Sequence, residues 1–255
     1  MSEVKLILGD CLQVMESMPD KSIDAIITDL PFGITSCSWD EVIPFEPMWE
    51  QVRRVDKGVF VTTASQPFTS KLVVSNLDWF KYEWIWEKSH ATGFLDSKEK
   101  PMKQHENILV FYKNKKIFNP QLYKKHKSKI RNGKLIRSNT DTYGKFKNDT
   151  KRSIPNDIGY PLSIQYFPTP YKGGEGGCHP TQKPVALYEY LVRTYTNEGD
   201  TVLDITMGSG TTGIACVQTG RNFIGIEISE QYFEIAKKRI HDAQQQMRIE
   251  FPNEG

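Results

Sequence analysis

The chain has 255 residues, of which 38% are hydrophobic and 25% charged, and its formal net charge is +2. This composition is typical of a soluble globular protein. No apolar run is long enough to cross a membrane, and the four cysteines are scattered without a CxxC pair. These features argue against a membrane protein, a disulfide framework and a zinc site, and no metal ligand set is predicted. The start of the chain shows no signal-peptide pattern, so a cytoplasmic protein is expected.

Short apolar runs alternate with helical spacings over most of the chain, which predicts an α/β fold. We predict strands over 4–8, 23–28, 58–63, 81–86, 107–112, 201–205 and 222–228. We predict helices over 11–18, 44–55, 68–77 and 211–219. We predict a further helix that Thr181 caps, with Pro184 in its first turn. Ser229 is expected to cap the last helix, and the chain is expected to be frayed from Ala243 onward. A polar loop over 90–105 is expected to join the fourth and fifth strands.

Four residues follow the second predicted strand: Asp29, Leu30, Pro31 and Phe32. In an open α/β sheet, ligands bind beyond the carboxyl ends of the strands. Pro31 restricts the backbone, so the Leu30 carbonyl has a defined direction. The Asp29 carboxylate, this carbonyl and the Phe32 ring together suit a planar group that bears an amine, such as a nucleobase. The alternative is an ordinary Pro-Phe turn, which is common after strands.

The segment 113–172 differs in charge from the rest of the chain. It holds fifteen Lys or Arg against three acids, while the remainder has a surplus of ten acids. Aromatic residues are interleaved with these bases, as in surfaces that neutralise phosphates and stack on bases. The segment therefore favours a polyanionic partner. A solvated charged insertion, partly disordered, is the alternative.

A second constellation follows the predicted strand 201–205. The glycines of 207–213 lead into a helix, and the next strand ends near Glu227. Glycines there let the backbone approach a nucleotide, and an acid at the next strand end can hold ribose hydroxyls. Asp204 stands ahead of the glycines, where a carboxylate would repel a pyrophosphate but suit an ammonium or sulfonium group. This favours S-adenosylmethionine over NAD.

Three motifs and their order resemble amino-group DNA methyltransferases of the permuted β type, in a phage-like subgroup. They are D-L-P-F at 29–32, H-P-T-Q-K-P at 179–184 and D-I-T-M-G-S-G-T-T at 204–212. The resemblance implies a Rossmann-like fold with a seven-stranded mixed sheet and circularly permuted motif order. It implies that 1–112 and 179–255 are the catalytic and cofactor-binding halves of one domain. The segment 113–178 would be an inserted target-recognition region.

The resemblance also implies roles for individual residues. Asp29, Leu30, Pro31 and Phe32 would be catalytic: the first two accept the hydrogens of the target amine, and the flipped base stacks on Phe32. Cofactor contacts would come from Asp10, Cys11, Thr181, Lys183, Asp204, Thr206, Gly208, Ser209, Gly210, Thr211, Thr212 and Glu227. DNA contacts would come from Lys124, Lys125, Lys127, Lys129, Arg131, Lys134 and Arg137. Double-stranded DNA is the expected partner, and S-adenosylmethionine the cofactor.

The chain departs from the usual family pattern at three places. Leu30 replaces a Pro and Phe32 a Tyr, which keeps the ring that stacking needs. Ile205 and Thr206 stand where the family often has Pro-Phe, so no aromatic ring is available there to touch the cofactor. We interpret these changes as those of an active variant.

The expected reaction is methylation of adenine N6, in the cytoplasm of a bacterial or phage-infected cell. An acid at the first motif position favours adenine over cytosine N4, which is the first alternative. Less favoured are an NAD-dependent oxidoreductase, a protein glutamine methyltransferase and a non-catalytic DNA-binding module. The sequence leaves open the recognition site, a homodimer and a restriction endonuclease partner.

Overall fold

The computed structural model of the chain describes residues 2–33, 40–114, 117–130, 155–170 and 182–250. The chain divides into a larger unit, Met1–Asn119 with Ser163–Gly255, and a smaller unit, Pro120–Leu162. The smaller unit is shorter than the insertion predicted over 113–178. Four residues with a predicted site role lie outside the described residues: Arg131, Lys134, Arg137 and Thr181.

Among the described residues, a mixed sheet of eight strands forms the centre of the larger unit, and a two-stranded sheet lies in the smaller one. The strands are β1 (Val4–Leu8), β2 (Ile23–Thr28), β3 (Asp56–Ala64), β4 (Phe80–Thr92), β5 (Lys103–Phe111), β6 (Tyr123–Lys124), β7 (Ile158–Gly159), β8 (Ile164–Tyr166), β9 (Thr201–Asp204) and β10 (Asn222–Glu227). The large sheet has the order β1-β10-β9-β2-β3-β5-β4-β8, and β6 pairs with β7. Within the large sheet β5 runs antiparallel to its neighbours β3 and β4, and the other pairs are parallel.

The seven predicted strands are confirmed, with a difference at the edge of the sheet. The eighth strand, β8, pairs in parallel with β4 at Ile85 to Glu87. It comes from the basic stretch, where Ile164 and Tyr166 are more than half exposed, so no apolar run marks it. The predicted loop 90–105 is also shorter, because β4 continues to Thr92 and β5 begins at Lys103.

In the part of the chain that the structure describes, six helices flank the large sheet. They are α1 (Cys11–Glu16), α2 (Phe45–Val55), α3 (Phe68–Ser75), α4 (Val185–Tyr195), α5 (Thr211–Thr219) and α6 (Glu230–Glu250), with short 3₁₀ turns at Phe94–Asp96 and Lys127–Lys129. Gly220 ends α5 in the left-handed conformation at φ +76°, as predicted. Two predictions are wrong: α4 begins after Pro184 as its N-cap, and α6 continues past Ala243, which is buried.

The core lies on both faces of the sheet. Side chains alternate along a strand, so Ile27 and Val61 pack with α4, α5 and α6, while Ile26 and Phe60 pack with α1, α2 and α3. None of the helices in the described part of the chain has both the length and the apolar character that crossing a membrane requires. Helices pack on both faces of the sheet, so the larger unit has three layers, helix–sheet–helix.

Parallel strands bring their carboxyl ends to one edge of this sheet. In neighbouring strands Ile26 is level with Leu203, and Asp204 with Gly225. Residues that follow β2, β9 and β10 therefore meet at the same edge. Because β5 is antiparallel, its first residues arrive there too.

Candidate active site

Asp29 is the first residue after β2, and its side chain is held on both oxygens. Thr63 donates its hydroxyl to Oδ1, and the Lys183 ammonium lies 2.7 Å from Oδ2. The main-chain carbonyl of Asp29 accepts a hydrogen bond from Thr206 Oγ1 at 3.0 Å. The side chain stays 26% exposed. A fixed carboxylate at the rim can thus accept a hydrogen bond from a group that arrives from solvent.

Contacts that the sequence did not reveal fix Leu30, Phe32 and Gly33, which follow Asp29. Leu30 is buried, and its amide lies 3.5 Å from Thr62 Oγ1. Asp40 Oδ1 accepts hydrogen bonds from the amides of Phe32 and Gly33 at 2.8 and 2.9 Å. The half-buried Phe32 ring lies 5.3 Å from the Phe68 ring, centroid to centroid. The motif therefore presents an acceptor, a constrained backbone and an aromatic ring.

The Lys183 ammonium lies at Asp29, and the cofactor contact predicted for this residue stays a prediction. The ammonium also lies 3.5 Å from Glu106 Oε2 and 5.5 Å from the centre of the Phe32 ring. Glu106 in turn accepts a hydrogen bond from Lys88. Asp29, Glu106, Lys183 and Lys88 thus form a charged chain, called here the lysine–carboxylate cluster.

The charges of this cluster stabilise one another. Burial alone would lower the pKa of Lys183, but Asp29 and Glu106 outweigh it and raise that pKa above its usual value. Burial would likewise raise the pKa of Glu106, yet Lys183 and Lys88 hold it below its usual value. Both groups are therefore charged at neutral pH.

The glycine loop after β9 is joined to β10 through Glu227. The amide of Gly208 donates to Glu227 Oε2 and that of Ser229 to Oε1, both at 2.8 Å. A Cβ added to Gly208, whose φ is +51°, would meet no atom within 4 Å. Open space thus lies beside Gly208, next to the Glu227 carboxylate, whose oxygens have lone pairs that can accept further hydrogen bonds. This arrangement fits a nucleoside whose ribose hydroxyls bind Glu227.

The remaining loop residues pack inside the protein. Arg239 of α6 binds the carbonyl and the hydroxyl of Ser209. Gly210 has φ +81°, and a Cβ there would lie 3.0 Å from Ala236 Cβ. Thr211 is buried, and its hydroxyl lies 3.4 Å from the Lys183 carbonyl. These residues shape the loop from behind, while their predicted cofactor contacts stay a prediction.

Asp204 ends β9 and is buried among hydroxyl groups. Thr28 donates to Oδ1 at 2.7 Å, the amide of Thr206 to the same atom at 3.1 Å, and Thr212 to Oδ2. Burial raises the pKa of Asp204 to about 6, although these hydrogen bonds oppose the shift. Asp204 thus joins β9 to β2 through Thr28 and to α5 through Thr212.

Asp10 and Cys11 lie where β1 meets α1. Asp10 Oδ1 caps the helix by accepting from the amides of Leu12 and Gln13 at 3.0 and 3.1 Å. The amide of Gly9 donates to the Glu227 carbonyl at 2.9 Å, so the ends of β1 and β10 are adjacent. Cys11 is buried, which raises the pKa of its thiol to about 12.

The structure thus brings Asp10, Asp29, Asp204 and Glu227 to one edge of the sheet. Sequence reasoning missed Thr63, Glu106, Lys88 and Asp40. Thr63 lies at the end of a predicted strand. The argument that ligands bind beyond the carboxyl ends of strands, which pointed to Asp29, could therefore have pointed to Thr63 as well. Glu106 precedes a predicted strand, and only the antiparallel direction of β5 brings it to this edge.

The predicted DNA-binding lysines of the described region belong to the smaller unit. Lys124, Lys127 and Lys129 are exposed, while Lys125 is half-buried and donates to the Asn156 carbonyl at 3.2 Å. Eleven Lys or Arg stand against three acids over 120–162. This unit is therefore strongly basic in composition, and three of its described lysines are exposed.

A sheet of this order, with an acid-x-Pro-aromatic motif at one strand end and a glycine loop at the next, defines a Rossmann-like methyltransferase that uses S-adenosylmethionine. The chain belongs to the DNA methylase family N6_N4_Mtase, whose sequence model matches residues 23–238. It is therefore a DNA methyltransferase.

Individual relatives agree with this assignment. The chain is 30% identical over 244 residues to the type II methyltransferase M1.MboII of Moraxella bovis, covering 88% of this chain and 91% of that one. It is 28% identical over 260 residues to the DNA adenine methyltransferase YhdJ of Escherichia coli K12, covering 94% and 83%. The crystal structure of the M1.HpyAVI–SAM complex matches with a TM-score of 0.61 and 27% identity, covering 93% of this chain and 98% of that one.

Proposed function

We propose that this DNA methyltransferase transfers the methyl group of S-adenosylmethionine to N6 of adenine in double-stranded DNA. The observation that carries the proposal is the Asp29 carboxylate, fixed by Thr63 and Lys183 at the end of β2 beside the Phe32 ring. An acid at this position favours adenine. The relative YhdJ, named as an adenine methyltransferase, supports the same base.

The residues of the site would make the adenine amine a better nucleophile. The lone pair of an adenine amine is delocalised into the ring, so the amine is a weak nucleophile. Asp29 and the Leu30 carbonyl would each accept one of its hydrogens and so localise the lone pair on nitrogen. The carboxylate also stabilises the positive charge that develops on this nitrogen. Asp29 then takes the proton, or passes it to water.

The target base must leave the duplex before it can reach Asp29. Unstacking costs roughly a few kcal/mol, and stacking on the Phe32 ring offsets part of it. Asp40 holds the main-chain amide of Phe32 and Phe68 packs against its ring, so the ring is preorganised for the base. Alignment of base and methyl donor contributes much of the rate enhancement.

S-adenosylmethionine, when bound, supplies an electrophilic methyl group on a sulfonium. Glu227 would hold its ribose hydroxyls, and the open side of the Gly208 turn would leave room for it. The further contacts that we propose are Asp10, Cys11, Thr181, Lys183, Asp204, Thr206, Ser209, Gly210, Thr211 and Thr212. All of these are predictions from the family motif.

The smaller unit is proposed to hold DNA by its phosphates. Lys124, Lys127 and Lys129 are exposed bases on it, and such contacts position a protein on the duplex without reading sequence. Arg131, Lys134 and Arg137 belong to the same basic stretch. The protein would act in the cytoplasm, where cellular DNA lies.

The experiment is to express the protein in bacteria that lack adenine methylation and to sequence their DNA by a method that reads modified bases. We expect N6-methyladenine at one recurring sequence. N4-methylcytosine at a recurring sequence would contradict the adenine assignment. Unmodified DNA from cells that contain soluble protein would contradict the proposed function.

A further inference from the structure

One buried oxygen of the lysine–carboxylate cluster, Glu106 Oε2, lies 3.5 Å from the Lys183 ammonium, which is too far for a hydrogen bond of good geometry. Glu106 Oε1 accepts from Lys88, but among the residues that the structure describes nothing hydrogen-bonds to Oε2. Only 8% of Glu106 is exposed. A buried acceptor without a donor costs free energy, so a donor that can reach Oε2 is expected in some state of the protein.

Lys183 is the donor nearest to this oxygen. Its ammonium lies 2.7 Å from Asp29 Oδ2 and 3.5 Å from Glu106 Oε2. A shift of under about 1 Å would bring it from the first carboxylate to hydrogen-bonding distance of the second. Its side chain is 8% exposed, so the protein confines the ammonium to these two partners.

The position of Lys183 conflicts with catalysis. Its ammonium occupies Asp29 Oδ2, and it would repel the positive charge that develops on the target nitrogen. Each Asp29 oxygen keeps a lone pair for the amine, so the conflict is one of charge. Methyl transfer is therefore favoured when the ammonium moves away from Asp29 as the amine binds.

We propose that Glu106 is a positioning residue that draws the Lys183 ammonium off Asp29 when the target amine enters. In the free enzyme Lys183 holds the Asp29 carboxylate in place. In the complex the amine replaces it on Oδ2, and Glu106 neutralises the displaced ammonium inside the protein. Lys88 and the strand pairing of Glu106 with Trp86 keep the receiving carboxylate fixed.

This inference rests on the proposed function, and it makes a prediction that a merely structural role does not. In Glu106→Gln the amide cannot neutralise the ammonium, so Lys183 stays on Asp29. We expect kcat to fall about 10- to 100-fold, the range of one hydrogen bond to a charged group. The dissociation constant for S-adenosylmethionine should not change, because Glu106 contacts the lysine and not the glycine loop.

The decisive comparison adds Lys183→Met to Glu106→Gln. If the lysine blocks Asp29 in the single variant, its removal must raise kcat above that of Glu106→Gln. A double variant as slow as Glu106→Gln, or slower, would overturn the proposal, since Lys183 would then only help to hold the site. Glu87→Gln, on the neighbouring strand and exposed, makes the same charge change and should behave as wild type.

A further variant separates the positioning role from folding. Glu106→Asp keeps the buried negative charge but draws the carboxylate back by one methylene, so kcat should fall while the melting temperature stays near that of wild type. Unchanged kcat in this variant would also overturn the proposal. A wild-type protein that methylates cytosine N4 would contradict the adenine assignment, and the same ranking of variants would still test this inference.

Discussion

Two aspartates at the strand edge, Asp29 and Asp204, are held in different ways. Asp29 lies at the rim and pairs with a cation. Asp204 is 2% exposed and receives its hydrogen bonds from Thr28, Thr206 and Thr212, all uncharged. Hydroxyl groups orient a carboxylate without neutralising it. The first residue is therefore suited to receive a substrate, and the second is a charged group that the fold keeps at a cost.

That cost makes stability depend on pH. Burial raises the pKa of folded Asp204 to about 6 from its usual 3.8. Because the folded value is the higher one, stability falls as pH rises from about 4 to about 6 and then stays level. The loss is on the order of 3 kcal/mol at most. Thermal unfolding measured from pH 4 to 8 should therefore show that the stability of Asp204→Asn increases relative to that of wild type as pH rises from about 4 to about 6.

Other groups also titrate between pH 4 and 6, but they are common to both proteins and cancel in the difference. The part of the stability difference between Asp204→Asn and wild type that does not change with pH reflects hydrogen bonds to the amide, and the test concerns only the part that changes. If the whole difference is the same at every pH from 4 to 8, Asp204 has an ordinary pKa and the description of its burial is wrong.

At the scale of elements, the glycine loop has two sides. Gly208 faces open space, while Gly210 is packed against Ala236 and Ile240 of α6. The sequence predicted a close approach between glycine and ligand for the whole loop. In the structure, Gly210 is close to helix α6 and not to open space where a ligand could bind. The spacing of glycines in the sequence could not predict this difference, because it depends on where α6 packs.

We therefore expect the two glycines to respond differently to substitution. Gly210→Val should lower the melting temperature and weaken S-adenosylmethionine binding together, because the side chain meets α6 and the backbone is left-handed. Gly208→Ala meets no protein atom, so its stability loss should be limited to the positive φ, about 1 kcal/mol. Its affinity for S-adenosylmethionine should still fall, because the methyl group enters the open side.

Calorimetric titration and thermal unfolding of both variants give this comparison. A Gly208→Ala protein with wild-type affinity would contradict the placement of the cofactor beside that turn. A Gly210→Val protein with wild-type stability would contradict the packing against α6.

The elements themselves were largely predictable, and their directions were not. All seven predicted strands form: central strands such as β2 and β3 are apolar runs buried on both faces, and β1 and β4 mix buried or half-buried residues with exposed ones. The direction of β5 follows from its partners β3 and β4, not from its own residues. This is why Asp29, after a parallel strand, was found from the sequence, whereas Glu106, in the first half of an antiparallel strand, was not.

At the scale of the whole molecule, charge is divided between parts of the chain. The segment 113–172 has a surplus of twelve positive charges, and the remainder a surplus of ten negative ones. Composition alone predicted this division. It did not predict β8, because the strand lies within the basic stretch and its exposed residues show no apolar pattern. The charged segment therefore supplies an edge of the large sheet as well as the smaller unit.

Replacing Lys124, Lys125 and Lys127 by Ala should weaken DNA binding on all sequences alike. It should also reduce the salt dependence of binding by about one unit of slope for each phosphate that the variant no longer neutralises. The methylated site should not change, because phosphate contacts carry no sequence information. Affinities measured at several salt concentrations test this, and unchanged affinity and slope would show that this lysine cluster does not touch DNA.

The most direct test of the central claim is methyl transfer by the purified protein from labelled S-adenosylmethionine to DNA, with Asp29→Ala as the paired variant. After digestion to nucleosides, the wild type should place the label in N6-methyladenine. Asp29→Ala should keep cofactor affinity within about tenfold but transfer essentially no label, because the hydrogen bond that Asp29 makes in the transition state is removed. An Asp29→Ala protein with near-normal turnover, or a wild-type label on any other base, would contradict the account.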